Sequence, residues 1–330
     1  MGNLLQAPRV RDGCAGYHGG DGIHRSDHWL DSVPSDHDSR EKSPRLRNSS
    51  ASRRPAAPTE LSDLIDTHCH LTFHHFTDRV DALLDDARAA GVSGFISVST
   101  TTADACRALA IAESHDDVWC SAGIHPLYAD EPAADARIWS DMRRVAESSR
   151  CVAWGELGLD QHYDTPTQPT QHQLLEEQLA FIESCHSDGI VHPVIVHCRK
   201  AFDELIPIFN ASTLDPSRFV FHCFTGTPED ARKVLDFGSW ISLTGIVTFR
   251  NAREIAEASD LIPDDRIMVE TDAPYLSPEP MRKVFPNVPA HVTHTARFLA
   301  ERRGQSFEDF ESMVDDNAER FFGVRTPHNQ

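Results

Sequence analysis

The sequence has little that would suit a membrane or an oxidising compartment. No stretch approaches the roughly 20 uninterrupted apolar residues that a membrane-spanning helix needs. The eight cysteines are scattered and include no CxxC pair. Most of them lie in apolar, strand-like runs, and no secretory leader precedes them. We therefore expect reduced core cysteines in a cytoplasmic protein.

Basic residues are also scarce. The 330 residues include 31 Lys and Arg against 51 Asp and Glu, which gives a net charge of -20. All of this imbalance falls after residue 60, because residues 1–60 hold nine basic against eight acidic residues. A body this acidic repels polyanions, so charge alone predicts no broad surface for duplex nucleic acid. A phosphate-bearing substrate would have to be captured locally, where bound cations could supply a positive field.

The chain divides into two parts by composition. Residues 1–60 are rich in Ser, Arg, Asp, Pro and Gly and show no helical or strand period, which predicts a disordered extension. Its irregularly spaced histidines favour solvated surface over a metal site. Residues 61–325 are predicted to form one catalytic domain, since a (β/α)8 barrel takes roughly 250 residues.

Within this second part, short β-branched runs alternate with segments of helical spacing, a pattern typical of βα units around a parallel sheet. Eight strands are predicted, over 64–71, 94–100, 118–126, 151–160, 193–199, 219–226, 240–245 and 267–276. Helices are predicted over 79–90, 102–114, 171–187, 201–210, 228–237, 290–303 and 306–322. Eight such units favour an α/β fold of the (β/α)8 TIM-barrel type over an open sheet. The last helix is predicted to be an extra C-terminal one, with Ser306 as its cap.

Two histidines stand at the end of the first predicted strand. Because strand side chains alternate between faces, His68 and His70 are expected to point to the same side and Cys69 to the other. Two imidazoles on one inward face form half of a site for a divalent metal. Taken alone, an HxH pair is equally compatible with two structural histidines.

Later strands end in further residues of metal-ligand type. Any single one of these residues could instead be an ordinary hydrogen-bonded polar residue at a strand end. For the whole set that interpretation is poor, because several buried ionisable groups without a cation would be costly. In a barrel these strand ends converge on one mouth. The predicted metal ligands are His68, His70, Glu156, His197, His222 and Asp272.

Four imidazoles and two carboxylates are too many for one tetrahedral ion and suit two ions that share a carboxylate. Glu156 lies on the strand between the two groups of ligands and is the chosen bridge. One ion would be held by His68, His70 and Asp272, the other by His197 and His222. A water between them would become a nucleophile near neutral pH, with Glu156 and Asp272 as catalytic residues and Asp272 accepting or relaying protons.

Six motifs follow one another along the chain: Asp66-Thr67-His68-Cys69-His70-Leu71, Gly123-Ile124-His125-Pro126, Gly155-Glu156-Leu157-Gly158-Leu159-Asp160, His197-Cys198-Arg199, Phe221-His222-Cys223-Phe224-Thr225-Gly226 and Glu270-Thr271-Asp272-Ala273-Pro274-Tyr275-Leu276. In these motifs the chain resembles the TatD family of metal-dependent deoxyribonucleases, from about residue 64 to residue 322.

This resemblance implies a phosphodiesterase that cuts DNA as an exonuclease from the 3′ end, with the six predicted ligands matching those of the family. It also implies that a glutamate bridges the metals, in agreement with Glu156. The sequence departs from the family at 280–289, where a usual Pro-x-Arg-Gly-Lys-x-Asn-x-Pro stretch lacks its glycine and is one residue longer. Phosphate contacts from Arg282 or Lys283 are therefore left open.

Secondary residues are interpreted by position. His125 ends a strand and is predicted to contact substrate, although the following proline also suits a simple turn. Arg199 shares the face of His197, which favours a phosphate contact. Asp66 is expected to orient an imidazole and Asp160 to be structural. The cysteines next to ligands, Cys69, Cys198 and Cys223, are assigned to the core between strands and helices.

Two functions stay open on the residues alone. A nuclease would act on single-stranded DNA ends, and RNA is an alternative polymer. A hydrolase of a small ester, lactone or amide would use the same metal cage. An inactive scaffold is disfavoured because no ligand is missing. The expected cofactors are two divalent cations per chain, Mg, Mn or Zn, and the chain is expected to be a monomer without membrane or protein partners.

Overall fold

A computed structural model describes residues 64–130 and 137–326. Its strands are β1 (Leu64–Cys69), β2 (Val92–Ser97), β3 (Val118–Ala122), β4 (Cys151–Asp160), β5 (Val194–Arg199), β6 (Phe219–Phe221), β7 (Trp240–Leu243) and β8 (Ile267–Val269). Its helices are α1 (Val80–Ala89), α2 (Thr102–Ser114), α3 (Ile138–Ala146), α4 (Gln168–Ser187), α5 (Phe202–Ala211), α6 (Pro228–Phe237), α7 (Arg253–Ser259), α8 (Val292–Arg303) and α9 (Phe307–Phe322). The predicted extension over 1–60 lies outside the described residues.

The eight strands form one parallel sheet in sequence order, β1 to β8. The end of β1 meets the segment just after β8 through backbone hydrogen bonds, since Asp272 N donates to His68 O at 2.8 Å and His70 N donates to Ala273 O at 2.8 Å. The sheet is thereby closed into the predicted TIM barrel. The same hydrogen bonds place the end of β8 directly beside the end of β1, where two predicted metal ligands lie.

Apolar side chains divide into two cores. The larger lies between the strands and the surrounding helices and includes Leu64, Trp154 and Val196. The second contains side chains of the opposite strand face, such as Ile195 and Met268. Residues of α9 and its tail cover this second core with Ala318, Phe321, Phe322 and Val324.

The extra C-terminal helix is confirmed. The Ser306 side chain accepts a hydrogen bond from Asp309 N at 3.0 Å, as expected of a helix cap. Phe321 packs against Trp240 with ring centroids 5.3 Å apart. Because α9 also binds Ile65 N through Asp315 Oδ1 at 2.8 Å, it is fixed to the start of β1, at the end of the barrel away from the ligands.

Several boundaries differ from the predictions. Strands β6 and β8 end at Phe221 and Val269, so His222 and Asp272 lie just beyond them rather than inside. Helices α3 and α7 are not predicted at all. Both are short, and the residues that precede them, Arg137 and Ala252, form no side-chain cap. No helix in the described ranges is long and apolar enough to cross a membrane.

Candidate metal centre

His68 and His70 come together at the carboxyl end of β1. Their Nε2 atoms are 3.3 Å apart. Oδ1 of Asp272 lies 3.2 Å from Nε2 of His70 and 3.6 Å from Nε2 of His68. Asp272 has a left-handed backbone with φ of 54°, a sparsely populated conformation for a residue other than glycine. The structure therefore brings together the three residues expected to hold the first ion.

The prediction that Asp66 orients an imidazole is wrong. Its carboxylate accepts hydrogen bonds from Thr271 N at 2.9 Å and Thr271 Oγ1 at 2.6 Å, and from the backbone N–H of His68 at 3.4 Å. The pairing of β1 with β2 shifts register between Asp66 and Cys69, so simple alternation does not hold across these residues. Burial raises the pKa of Asp66 to about 8.

Glu156 lies at the centre of the imidazoles. Its carboxylate oxygens are 3.9 Å from Nε2 of His68, 3.8 Å from Nε2 of His70, 3.6 Å from Nδ1 of His197 and 2.7 Å from Nε2 of His222. Burial would raise the pKa of Glu156, but the nearby histidines His125 and His222 hold it well below its usual range. The Glu156 carboxylate therefore lies within reach of both groups of histidines.

A local irregularity in β4 directs Glu156 inward. The pairing of β4 with β5 shifts register between Trp154 and Leu157. Gly155 supplies a φ of 122° there, and a Cβ on it would approach Ile195 O to 2.5 Å. A side chain at this position would therefore collide with the neighbouring strand.

His125 and His197 form the side of the cluster near β5. Nε2 of His125 lies 3.1 Å from Nδ1 of His197, while Nδ1 of His125 accepts a hydrogen bond from Leu127 N at 3.0 Å. Nε2–H of His197 donates to Oδ2 of Asp160 at 3.1 Å. The prediction that Asp160 is only structural is therefore wrong, because it orients an imidazole. Burial lowers the pKa of His125 to about 3.

His222 is supported by a carboxylate that the sequence analysis did not single out. Oε1 of Glu270 lies 3.4 Å from Nδ1 of His222. Glu270 is fixed in turn, since it accepts hydrogen bonds from Cys223 N and Ser242 Oγ, each at 2.6 Å. Burial works against charge on His222, yet Glu156 and Glu270 raise its pKa well above its usual range. The alternation of side chains along β8 could have indicated Glu270, because it stands two residues after Met268, which faces the inside of the barrel.

The buried polar atoms of this cluster fit a cation. Nδ1 of His68, Oε2 of Glu156 and both ring nitrogens of His222 are buried without a hydrogen bond of good geometry. Oε2 of Glu156 lies 2.7 Å from Nε2 of His222, and Oε1 of Glu270 lies 3.4 Å from its Nδ1. Such atoms are costly to bury unless something pairs with them. Three groups could each hold an ion: His68 with His70 and Asp272, His68 with Glu156 and His222, and His125 with Glu156 and His197.

This grouping differs from the expected pairing of His197 with His222. The ring of His222 stacks on that of His68 at 4.0 Å, whereas it lies 5.7 Å from that of His197. His197 instead meets His125, which was expected to contact substrate. Since Leu127 N holds the other ring nitrogen of His125, its Nε2 is directed toward Glu156 and His197.

A cavity of about 560 Å³ opens beside His197 and His222. This volume lies within the roughly 300–1,000 Å³ typical of ligand pockets. Arg199 lines it with its guanidinium 5.3 Å from the centre of the Tyr163 ring and 4.0 Å from Oδ2 of Asp160. Further lining residues include Lys200, Phe202, Ile246, Phe249, Asn251 and Ile255.

Cys223 also lines this cavity. It has a φ of 44°, is partly exposed and lies with Sγ 3.8 Å from Thr244 Oγ1. Its assignment to the core between strands and helices is therefore wrong, because the chain leaves the strand pattern once β6 ends at Phe221. Cys69 and Cys198 do lie in that core.

Comparison with known proteins identifies the family. A sequence profile described as "TatD related DNase" matches residues 65–323. The chain belongs to the TatD family. A TatD-family relative from Escherichia coli strain K12, "Uncharacterized metal-dependent hydrolase YcfH", is 35% identical over 264 residues, which cover 79% of this chain and 96% of the relative. The "3'-5' ssDNA/RNA exonuclease TatD" of Pantoea ananatis is 33% identical over 266 residues, covering 79% and 100%.

A solved TatD-family structure has the same fold. The crystal structure of "YJJV, TATD Homolog from Escherichia coli k12" superposes with a TM-score of 0.74 and 27% identity, over 81% of this chain and all of that one. These relationships make the protein a hydrolase of the TatD family. The family resemblance inferred from the six motifs is thus confirmed.

Proposed function

We propose that the protein is a metal-dependent exonuclease that removes nucleotides from the 3′ end of single-stranded DNA, using two divalent cations. The observation that carries this proposal is the buried cluster of His68, His70, Glu156, His197, His222 and Asp272 at the mouth of the barrel, hereafter the ligand cluster. The name of the Pantoea ananatis relative supports the direction and the single-stranded polymer, and it includes RNA as an alternative to DNA.

The ligand cluster would hold the ions in two groups that share Glu156. His68, His70 and Asp272 would hold one. His197 would hold the other together with His125, whose ring lies closer to it than that of His222 does. His222 would contribute from the side of His68, where its Nε2 lies 2.7 Å from Glu156. Bound cations would supply a water of lowered pKa and neutralise charge on the phosphate that is cut. Glu270 and Asp160 keep His222 and His197 oriented for this role.

Other side chains at the mouth would bind and position the substrate. Asp272, next to His68 and His70, would accept a proton during hydrolysis. Arg199 at the cavity wall would contact a phosphate oxygen, and its approach to Tyr163 and Asp160 limits its rotation. The apolar walls formed by Phe249 and Ile255 suit a base or sugar of the terminal nucleotide.

A direct assay tests this proposal. The purified protein, loaded with Mg, Mn or Zn, is incubated with single-stranded oligonucleotides labelled at the 5′ end, of which half are blocked at the 3′ end. We expect successive shortening of the free strands, slower cleavage of duplexes and none of blocked strands. Hydrolysis of an ester, lactone or amide panel without any release of nucleotides would contradict the proposal and favour a small-molecule hydrolase.

A further inference from the structure

The segment between β8 and α8 carries exposed apolar surface. Phe285 is 50% exposed and the adjacent Val284 43%. Among the large apolar side chains of residues 64–130 and 137–326, Val191 is the one other that is exposed. The exposed pair lies in 280–289, the stretch in which the sequence departs from the family pattern. These two adjacent side chains leave an aromatic ring and an aliphatic group open to solvent.

This segment is firmly attached to the barrel. Ser277 Oγ donates to Val284 O at 2.5 Å, and Asn287 Nδ2 donates to Tyr275 O at 2.6 Å and Thr271 O at 3.1 Å. Arg282 places its guanidinium 3.8 Å from the centre of the Phe249 ring. Phe285 is therefore presented at a fixed position.

A continuous series of ring contacts joins Phe285 to the ligand cluster. Phe285 meets His75 edge-on at 5.1 Å, and His75 meets Tyr275 at 6.3 Å. Tyr275 contacts Phe73 at 6.2 Å, and Phe73 stacks on the ligand His70 at 4.5 Å. The exposed ring thus stands at the outer end of an aromatic path that begins at the metal centre.

We propose that Phe285, which makes a T-shaped contact with His75, stacks on a base of a single-stranded nucleic acid whose end lies at the ligand cluster. This inference depends on the proposed nuclease function. Base stacking on an aromatic side chain is tolerant of sequence, as a nuclease that shortens strands of any sequence requires. It also suits an acidic protein, because stacking contributes affinity without a broad basic surface.

The patch is too small for a protein partner. Two adjacent exposed side chains fall far short of the roughly 800 Å² per partner that a stable protein interface buries. A single base, by contrast, needs one ring face. Lys283, which is exposed beside Phe285, adds a positive charge near the strand.

Single abasic sites test this stacking contact. An abasic nucleotide is placed at successive positions from the 3′ end of a single-stranded oligonucleotide, and KM and kcat are measured for the wild type and Phe285→Ala. In the wild type we expect one position, several nucleotides from the end, at which base removal raises KM. Phe285→Ala should raise KM for the intact strand roughly 5- to 150-fold and abolish the effect of the abasic site there.

Two further variants complete the experiment. Phe285→Trp should restore a low KM and the position-dependent effect, because it keeps an aromatic face. Val191→Ala removes a similarly exposed apolar side chain before β5, away from the ligands, and should leave KM unchanged. If strands are cut but Phe285→Ala keeps the wild-type KM and abasic profile, stacking is refuted while the nuclease proposal stands. If the wild type releases no nucleotides, both fail.

Discussion

Glu156 is the residue at the middle of the proposed metal centre. It is the carboxylate within 4 Å of His68, His70, His197 and His222. Replacing it by Gln keeps its size but removes the charge that two cations would share. We expect Glu156→Gln to lower turnover on the order of 10²- to 10³-fold or more, and to reduce bound metal from two ions per chain to one or none.

Elemental analysis of dialysed protein and the nuclease assay together measure this effect. Glu177→Gln, the same change on the exposed face of α4, serves as the control. Circular dichroism should show the same fold for both variants. Full metal content and wild-type turnover in Glu156→Gln would refute the bridging role.

Glu270 acts through His222 rather than on substrate. Loss of its charge should weaken the orientation of that imidazole, because carboxylates behind a metal-binding histidine fix its ring and increase its basicity. We expect Glu270→Gln to lower metal affinity or activity roughly 10- to 100-fold. Titration calorimetry with Mn or Zn measures the affinity directly.

A matched variant separates this effect from a general cost of losing a buried carboxylate. Glu311, on α9, is also buried, and Glu311→Gln should leave metal affinity intact. Equal affinity in Glu270→Gln and the wild type would show that Glu270 only supports β6 and β7 through Cys223 and Ser242.

At the residue scale, the sequence predicts which residues lie at the site better than it predicts which atoms their side chains contact. The His68 and His70 pair could be found because both stand on one short run. The contacts of Asp66 could not, since the register shift after it breaks the alternation on which the prediction depended. Alternation along the chain could also have indicated Glu270, but the ligand role on this segment was assigned to Asp272, two residues later.

At the scale of elements, eight strands could be predicted because each is a compact apolar run. Helix α3 was not predicted, because it is short and has no capping side chain. Its buried residues do follow helical spacing, and they are Ile138, Met142, Val145 and Ala146. The ends of β6 and β8 were predicted too late, because apolar and small residues continue past Phe221 and Val269. The left-handed residues Cys223 and Asp272 mark these ends and carry no sequence signal of their own.

The close approach of β4 and β5 positions His197 and can be tested by substitution. Gly158 pairs with His197, has a φ of 150°, and a Cβ on it would overlap the carbonyl oxygen of His197. Gly158→Ala should therefore force these strands apart. We expect a loss of about 2 kcal/mol or more in stability, together with weaker metal binding.

Denaturant unfolding and metal titration measure the two effects. Gly189→Ala is the appropriate control, because Gly189 also has a positive φ, of 91°, but nothing lies within 4 Å of its added Cβ. Gly189→Ala should therefore lose only the free energy of holding an alanine at a positive φ. If both variants lose the same stability and bind metal equally well, the contact with His197 is not what requires glycine.

At the scale of the whole molecule, the residues that close the apolar core and the residues of the ligand cluster lie at opposite ends of the barrel. Helix α9 covers the core at one end, and the ligand cluster lies at the other, where strand ends converge. The cluster itself opposes folding when nothing pairs its buried polar atoms. Metal binding and folding are therefore expected to be coupled.

Removal of metal should lower the melting temperature of the protein. A ligand that binds only the folded state at 100 times its Kd adds about 2.7 kcal/mol of stability, which corresponds to roughly 5–10 °C for a domain of this size. We expect EDTA treatment followed by dialysis to lower Tm by that amount and Mn or Zn to restore it. Glu156→Gln should show a much smaller shift. If elemental analysis shows that metal has left while Tm stays the same, the buried imidazoles and carboxylates are satisfied without cations, and the metal centre does not contribute to folding.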